Sequence, residues 1–452
     1  MKAWYSLGLV TALLGCGGAT AKPPPTADQI AAAHVDIDAY LDQRHDGPTD
    51  ATEVLVKRLD DQGFTATEVE AILRAGRASY PAPGVPLGGS ATKLPIDCYH
   101  VVYSSTYYLY VPTTYEASQE TPLIVVGHGG NSSMTQDEAE STALSYSQAY
   151  KTIGPGEPHA ILAAPATTVG WSPAGDSLIE STISKVSRDY HIDPDRVYLL
   201  GQSMGGHLSW RSAITYGDRF AAFSPQSGGY TSFIDNHQIQ NLYTTHGYTT
   251  FGTVEPYDLT ATNVALGAWL TEHKFDWTIV QKNPGGHEIF ADELPKIGAM
   301  FAQHPRDLYR KDTYYQAAGA MRYTANWDGQ DYMILPNHPL RSNYHHFVEI
   351  TPRPEITERL TFYALNRGDN TIELHTQNIR QAKVLLHPKL VDLTKKVTIL
   401  VNGQSLYSAV PKVDLGQLLE RVRDFDDRGR IFWAAVDLTI STDEEIPDPS
   451  YP

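Results

Sequence analysis

Hydrophobic positions follow three successive patterns along the chain. In the first, Ile30, Ala33, Ile37 and Leu41 recur at helical spacing. A second helical stretch runs from Asp50, with Glu53 three residues on, to Gly63, and a third opens at Thr65 with Glu68 in capping-box register and stops at Gly76. A Pro- and Gly-rich linker follows, through Pro81, Pro83, Gly84, Pro86, Gly88 and Gly89. The helices read as an appendage that serves as a spacer or packing element, or as a lid over a site further along.

From about Cys98 to Pro305 the pattern alternates between strand and helix. Segment 99–111 predicts a hairpin of β-branched and aromatic residues. Segments 122–127, 160–164, 196–200, 220–223, 241–245 and 276–280 are short apolar runs bounded by Gly, Pro or Asp, as suits strands buried on both faces. Helices are predicted over 177–189, 204–216, 261–273 and 289–303. The alternation implies an α/β fold, a mostly parallel sheet with helices on both faces. Beyond Arg306 the chain predicts strands without intervening helices, over 345–350, 360–365, 371–375, 383–387, 397–401 and 432–440, with Asn402-Gly403 as a two-residue hairpin turn. This is the signature of a C-terminal all-β, sandwich-like domain. The expected organisation is a leader over 1–21, the helical appendage and linker over 22–92, an α/β domain over 93–305 and a β-rich accessory domain over 306–452.

Composition narrows the function without naming it. The 452 residues carry a formal charge of -17, which sets the chain against nucleic acid and anionic lipid as partners. At the start, Lys2 precedes an apolar stretch over 3–14 that is too short to span a bilayer and fits a signal-peptide core. Leu13-Leu14-Gly15-Cys16 resembles a bacterial lipobox, which makes Cys16 the expected lipidation site and places the protein in the cell envelope; plain secretion after cleavage near Ala19 or Ala21 is the alternative. Cys16 and Cys98 are the two cysteines. They provide no zinc spacing, and pair with each other only if Cys16 escapes processing. No metal and no cofactor is expected.

The chemistry centres on Ser203. The apolar run 196–200 feeds Gly201-Gln202-Ser203-Met204-Gly205-Gly206, and a helical pattern follows. A serine in a sharp strand-to-helix turn needs glycines two residues either side, because side chains there collide, and the helix turns its N-terminal dipole toward developing negative charge. Upstream, the strand at 122–127 ends in His128-Gly129-Gly130. Its glycines offer one oxyanion donor, from Gly129 or Gly130, and the N–H of Met204 offers the other. Downstream, His287 in Gly285-Gly286-His287-Glu288 is the candidate general base, since an imidazole accepts and returns a proton near neutral pH. No second histidine follows at the position that a zinc-protease signature requires. The acid belongs on the loop after the strand expected to end at Thr245, where Glu255 and Asp258 are the carboxylates. Glu255 is the first choice and Asp258 the alternative.

Together these pieces resemble the α/β-hydrolase superfamily, in particular secreted esterases of the polyhydroxybutyrate-depolymerase-like and feruloyl-esterase-like type, related to the prolyl-oligopeptidase catalytic core. The resemblance spans roughly 98–303. It rests on the His-Gly-Gly strand, on Gly170-Trp171, on Ile192-Asp193-Pro194-Asp195-Arg196 leading into the serine motif, and on Gly285-Gly286-His287-Glu288. It implies a Ser–His–acid triad and hydrolysis of small-molecule or polymeric esters, polymer- or glycan-linked ones included. The family usually reads His-Gly-x-x-Asp, with that Asp as its acid and a Val-Pro soon after, and Thr250 stands here where that Asp would be, so Glu255 requires a longer loop. A serine peptidase of prolyl-oligopeptidase type and a non-catalytic, hydrolase-like binding protein are the competing functions. Trp171, Tyr230 and Tyr248 are aromatic candidates for stacking on substrate rings or for simple packing.

Overall fold

The computed structural model describes residues 22–44, 47–99, 103–131, 133–154, 159–171, 173–229, 236–317, 343–353, 356, 358–446 and 449. Cys16, the leader around it, and Tyr230 lie outside the described residues. Three helices come first: α1 (Ala27–Asp42), α2 (Ala51–Asp61) and α3 (Ala66–Arg74). Thr26 with Gln29, and Thr65 with Glu68, close capping boxes on α1 and α3.

The strands β1 (Thr92–Asp97), β2 (Ser104–Tyr110), β3 (Thr121–Gly127), β4 (Ile161–Pro165), β5 (Ile192–Gln202), β6 (Ala222–Gln226), β7 (Gly247–Gly252) and β8 (Trp277–Lys282) follow. They form a sheet in the order β1-β2-β4-β3-β5-β6-β7-β8, parallel from β4 onward. Helices α4 (Gln136–Ala149), α5 (Pro173–Asp189), α6 (Met204–Thr215), α7 (Leu259–Glu272) and α8 (Leu294–Gln303) cover it. Alternate residues of a strand serve opposite faces. Leu123 and Val125 of β3 and Val197 and Leu199 of β5 pack with α5, α6 and α7. Ile124, Val126, Tyr198 and Leu200 pack with α4 and α8.

Beyond α8 come β9 (Asp312–Ala317), β10 (Tyr344–His345), β11 (Val348–Ile350), β12 (Leu360–Asn366), β13 (Thr371–Gln377), β14 (Gln381–Leu386), β15 (Val397–Val401), β16 (Gln404–Ala409), α9 (Leu415–Phe425) and β17 (Ala434–Thr439). Two sheets, β10-β11-β14-β17 and β16-β15-β13-β12-β9, enclose one apolar core. Asn402 and Gly403, both left-handed, turn β15 into β16. No helix among the described residues is long and apolar enough to cross a membrane.

Several sequence expectations need correction. Segment 241–245 is not a strand but the end of a 3₁₀ helix, Asn236–Thr244. The Asn241 amide donates to the Ile214 and Gln316 carbonyls, and the Thr245 hydroxyl donates to the Leu242 carbonyl three residues back, so polar side chains compete the segment out of the sheet. The strand is β7, six residues further on. The hairpin expected within 99–111 pairs β2 with β1 instead, and Pro95 is tolerated because β1 is an edge strand. Helix α8 starts at Leu294, with Pro295 in its first turn, and not at 289. Helix α4 went unpredicted, although Thr135 and Glu138 cap it. The C-terminal strands do contain a helix: Leu415, Leu418, Leu419 and Val422 of α9 share an apolar cluster with Ile37, Leu41, Leu55, Leu59 and Val69. The N-terminal helices therefore pack on α9. They are not a lid: Arg74 of α3 reaches Asp195, at the start of β5, while Ser203 follows its far end.

Buried charges cement the same lower end of the sheet to the C-terminal strands. Arg306 bonds Asp195 at 3.0 Å and Asp427 at 2.6 Å, and Arg430 bonds Asp218 at 2.7 Å. Asp427, 0% exposed at its side chain, also faces Arg219 and Arg430. Burial alone would raise its carboxyl, but the three guanidinium groups hold it well below the usual carboxylate range. Removing this one anion leaves buried cations without compensation. Asp427→Ala is expected to lower the unfolding free energy by about 3–5 kcal/mol, read by urea denaturation. A loss below about 1 kcal/mol would mean that the arginines find other partners.

Candidate active site

The site is built on the upper ends of β3, β5, β7 and β8. Ser203 follows β5 directly with φ 59° and ψ -118°, a conformation that L-residues rarely hold. Its N–H donates to the Gln226 carbonyl of β6 at 2.9 Å, which pins the strained residue. The flanking glycines are steric necessities. A Cβ on Gly201 would come within 2.5 Å of the Gly127 carbonyl oxygen, and one on Gly205 within 1.9 Å of it. Helix α6 begins at Met204, so its first N–H groups have no intrahelical acceptor and face the serine's side of the turn.

His287 lies on the loop after β8, with its side chain 31% exposed. Its Nε2 is 2.8 Å from Ser203 Oγ, and its Nδ1 is 2.5 Å from Glu255 Oε2. The Glu255 side chain is fully enclosed. Its Oε1 accepts from the Gly252 N–H at 2.8 Å and the Ser227 hydroxyl at 2.7 Å. Burial pushes the Glu255 carboxyl up, but the bonds from His287, Gly252 and Ser227 outweigh it and hold the group below its ordinary value. An ionised Glu255 accepts a hydrogen bond from Nδ1–H, which leaves Nε2 as the acceptor toward Ser203.

The structure thus brings Ser203, His287 and Glu255 together and leaves Asp258 apart. Asp258 caps α7 in a left-handed conformation, with φ 58°. Glu255 needs no unusual reach, because β7 ends at Gly252 rather than at 245 and the acid follows three residues later. Thr250, at the family's usual acid position, is a buried residue of β7 paired with Gln226.

On the opposite side of Ser203, a Cβ on Gly129 would stand 3.2 Å from the serine Cβ. The loop is tightly held. Buried His128 accepts the Thr167 N–H at Nε2, at 3.0 Å, so its Nδ1 carries the proton and donates to the Gly129 carbonyl at 2.6 Å. Burial brings the imidazole down to about 4, which keeps it neutral. The Tyr146 hydroxyl donates to Gln202 and packs so closely on Gly129 that a Cβ there would come within 2.3 Å of it. Gly130 adopts φ 123°, open to glycine alone.

Sequence reasoning missed Ser227, Tyr146 and the anchoring role of His128. Ser227 carried a signal, since it follows an apolar run and precedes Gly228-Gly229, whereas Tyr146 sits in the unpredicted α4. Of the aromatic candidates, Trp171 is buried with its Nε1 on the His128 carbonyl, and Tyr248 is a buried residue of β7 bonded to Glu293. Both are packing residues.

Residues 104–282 match the Esterase family, described as "Putative esterase". No curated protein matches the chain. Among solved structures, a thermostable esterase is 18% identical over 48% of this chain and 63% of its own, with a TM-score of 0.38. The chain thus spans less than two thirds of that structure. A CE1 ferulic acid esterase from Anaeromyces mucronatus is 13% identical over 49% of this chain and 92% of its own, with a TM-score of 0.35. An S-formylglutathione hydrolase from Staphylococcus aureus is 13% identical over 47% and 97%, also at 0.35. Likenesses this distant leave the chemistry to the site's own geometry. The stretch from β2 to β8 has the α/β-hydrolase fold and is the part of the chain that the esterase family model matches.

Proposed function

We propose that this protein hydrolyses carboxylic esters through an acyl-enzyme on Ser203, with His287 as general base and Glu255 as the acid behind it. The observation that carries the reading is the unbroken series Ser203 Oγ–His287 Nε2 and His287 Nδ1–Glu255 Oε2, ending in an enclosed carboxylate. In the first half-reaction Ser203 Oγ attacks the ester carbonyl carbon while His287 takes its proton. Glu255 stabilises the resulting imidazolium. His287 then returns the proton to the departing alcohol. In the second, His287 deprotonates a water that attacks the acyl carbonyl, and Ser203 recovers its proton as the acid leaves.

We assign the oxyanion to the N–H groups of Met204 and Gly130. His128 fixes the Gly129 carbonyl. The N–H of Gly130 sits at the other end of that same peptide plane and points the opposite way. A substrate larger than a metabolite fits the open surroundings, since Val254 and Tyr257, either side of the acid, are 76% and 91% exposed. The leader expected over 1–21 supports action outside the cytoplasm, tethered through Cys16.

The first test is turnover of p-nitrophenyl butyrate. Ser203→Ala is expected to lose roughly a thousandfold or more in kcat, with the fold intact by circular dichroism. Equal rates for the two proteins overturn the proposal. Turnover of peptide amides without ester turnover would reassign the centre to a peptidase, and Ser203-independent glycan binding without any turnover to a binding protein.

Glu255→Gln reverses the preferred His287 tautomer and is expected to cost about a thousand- to ten-thousandfold in kcat. It also carries a pH signature. A carboxyl held below its ordinary value stabilises the fold above that value, near about 4.3, and loses the contribution as pH falls through its folded value. The stability gap between wild type and Glu255→Gln should therefore be widest above about pH 5 and close on acidification, measured by urea denaturation. A gap that widens toward low pH contradicts the assignment.

A further inference from the structure

At the end of the sheet opposite Ser203, three side chains from three elements converge. His246 immediately precedes β7, Asp276 immediately precedes β8, and His304 caps the C-terminus of α8. Their donor atoms all lie within 4.8 Å of one another. His246 Nδ1 is 2.6 Å from Asp276 Oδ2, and His304 Nε2 is 3.3 Å from that same oxygen. The two imidazole rings lie 4.4 Å apart, tilted by 31°. Behind the cluster, His304 Nδ1 donates to the Met300 carbonyl at 2.8 Å. That bond places a proton on Nδ1 and directs Nε2 at Asp276, to which it donates when no ion is bound; an ion would take the place of that proton, and a backbone carbonyl behind Nδ1 is the outer support that metal-binding imidazoles use.

We propose that His246, Asp276 and His304 form a binding site for a divalent transition-metal ion of the zinc class, with solvent completing a tetrahedron. The donor set selects the ion. Two imidazole nitrogens and one carboxylate oxygen suit zinc, whereas calcium and magnesium require more oxygen ligands than this site offers. The spacing also fits. Bonds of about 2.0–2.2 Å to a tetrahedral ion put neighbouring donors roughly 3.4 Å apart. The His304–Asp276 separation already has that value, and His246 has to retreat by less than about 1 Å. Side-chain exposures of 26%, 51% and 24% leave an entry path from solvent.

The ion has no part in ester cleavage. Strand β7 alone, six residues long, separates His246 from the loop of Glu255 by about 20 Å. Its effect is structural: it ties the starts of the two strands that carry Glu255 and His287 to the end of α8. The proposal is independent of the Ser203 chemistry, and its test is arranged to stay so.

The full chain, stripped with chelator and dialysed, is titrated with ZnCl₂ by isothermal titration calorimetry and followed in parallel by thermal shift. The expected result is one ion per chain at micromolar or tighter affinity, and a melting temperature raised by at least about 2 °C under saturating Zn²⁺. His246→Ala, His304→Ala and the near-isosteric Asp276→Asn each weaken binding by at least about tenfold. His287→Ala, which removes the imidazole beside Ser203, leaves binding unchanged. Absence of saturable binding, full affinity in His304→Ala or Asp276→Asn, or loss of binding in His287→Ala overturns the site. Loss of ester turnover in Ser203→Ala with zinc binding intact separates the two proposals.

Discussion

Strand β3 and helix α6 meet where the Gly127 carbonyl faces Gly205, so closely that a Cβ on Gly205 would come within 1.9 Å of that oxygen. The parallel pairing of β3 with β5 sets this approach, since Gly127 stands opposite Gly201 in register. The chain has to leave β5 and enter α6 within a single residue. Ser203 takes the conformational strain of that turn, held by its N–H on the Gln226 carbonyl. The same constraint exposes the serine oxygen, points the start of α6 at the space above it and brings Gly129 alongside. Hydrophobic burial on both faces of the sheet maintains the strand spacing on which the turn depends. The chemistry of the site is therefore a consequence of backbone packing before any side chain contributes.

The two ends of the sheet divide the labour. Loops at the upper end carry Ser203, Glu255 and His287. At the lower end, Asp195, Asp218 and Arg219 join Arg306, Asp427 and Arg430 in one buried ionic network. Such networks contribute little net stability compared with an apolar core, but they fix geometry sharply, because any displacement strands a buried charge. The network and the contacts of α3 tie the C-terminal strands and the α1–α3 and α9 cluster to the end of the sheet away from Ser203.

The sequence shows much of this and misleads at identifiable points. Ser203, His287 and the His128-Gly129-Gly130 turn are legible because glycine patterns next to apolar runs report backbone geometry, which is local. The placement of β7 is not legible. Segment 241–245 and segment 247–252 are similarly rich in Thr and aromatic residues, and hydrogen bonds made by Asn241 with residues distant in sequence decide between them. That single misplacement makes Glu255 look like a displaced acid on a long loop. With β7 in register, the acid follows the strand end closely. Helix α9 was hidden for a different reason. Its apolar face is at helical spacing, but its partners are residues of α1–α3 at the other end of the chain.

The corrected position of β7 also reveals the cluster at its foot. While 241–245 is read as the strand, His246 is the first residue of an active-site loop, far from any use for Asp276 or His304. Once β7 starts at Gly247, His246 belongs to the opposite end of the sheet, beside Asp276 at the start of β8. The same six residues then connect two titratable clusters, one at each end. Each pairs a carboxylate with imidazole, yet solvent and geometry separate their chemistry. Glu255 is enclosed, receives a backbone N–H and a hydroxyl, and faces one imidazole whose other nitrogen meets the Ser203 hydroxyl. Asp276 is half open to water and shares one oxygen between two imidazoles. The first arrangement is a line along which a proton can pass; the second is a point at which lone pairs can meet.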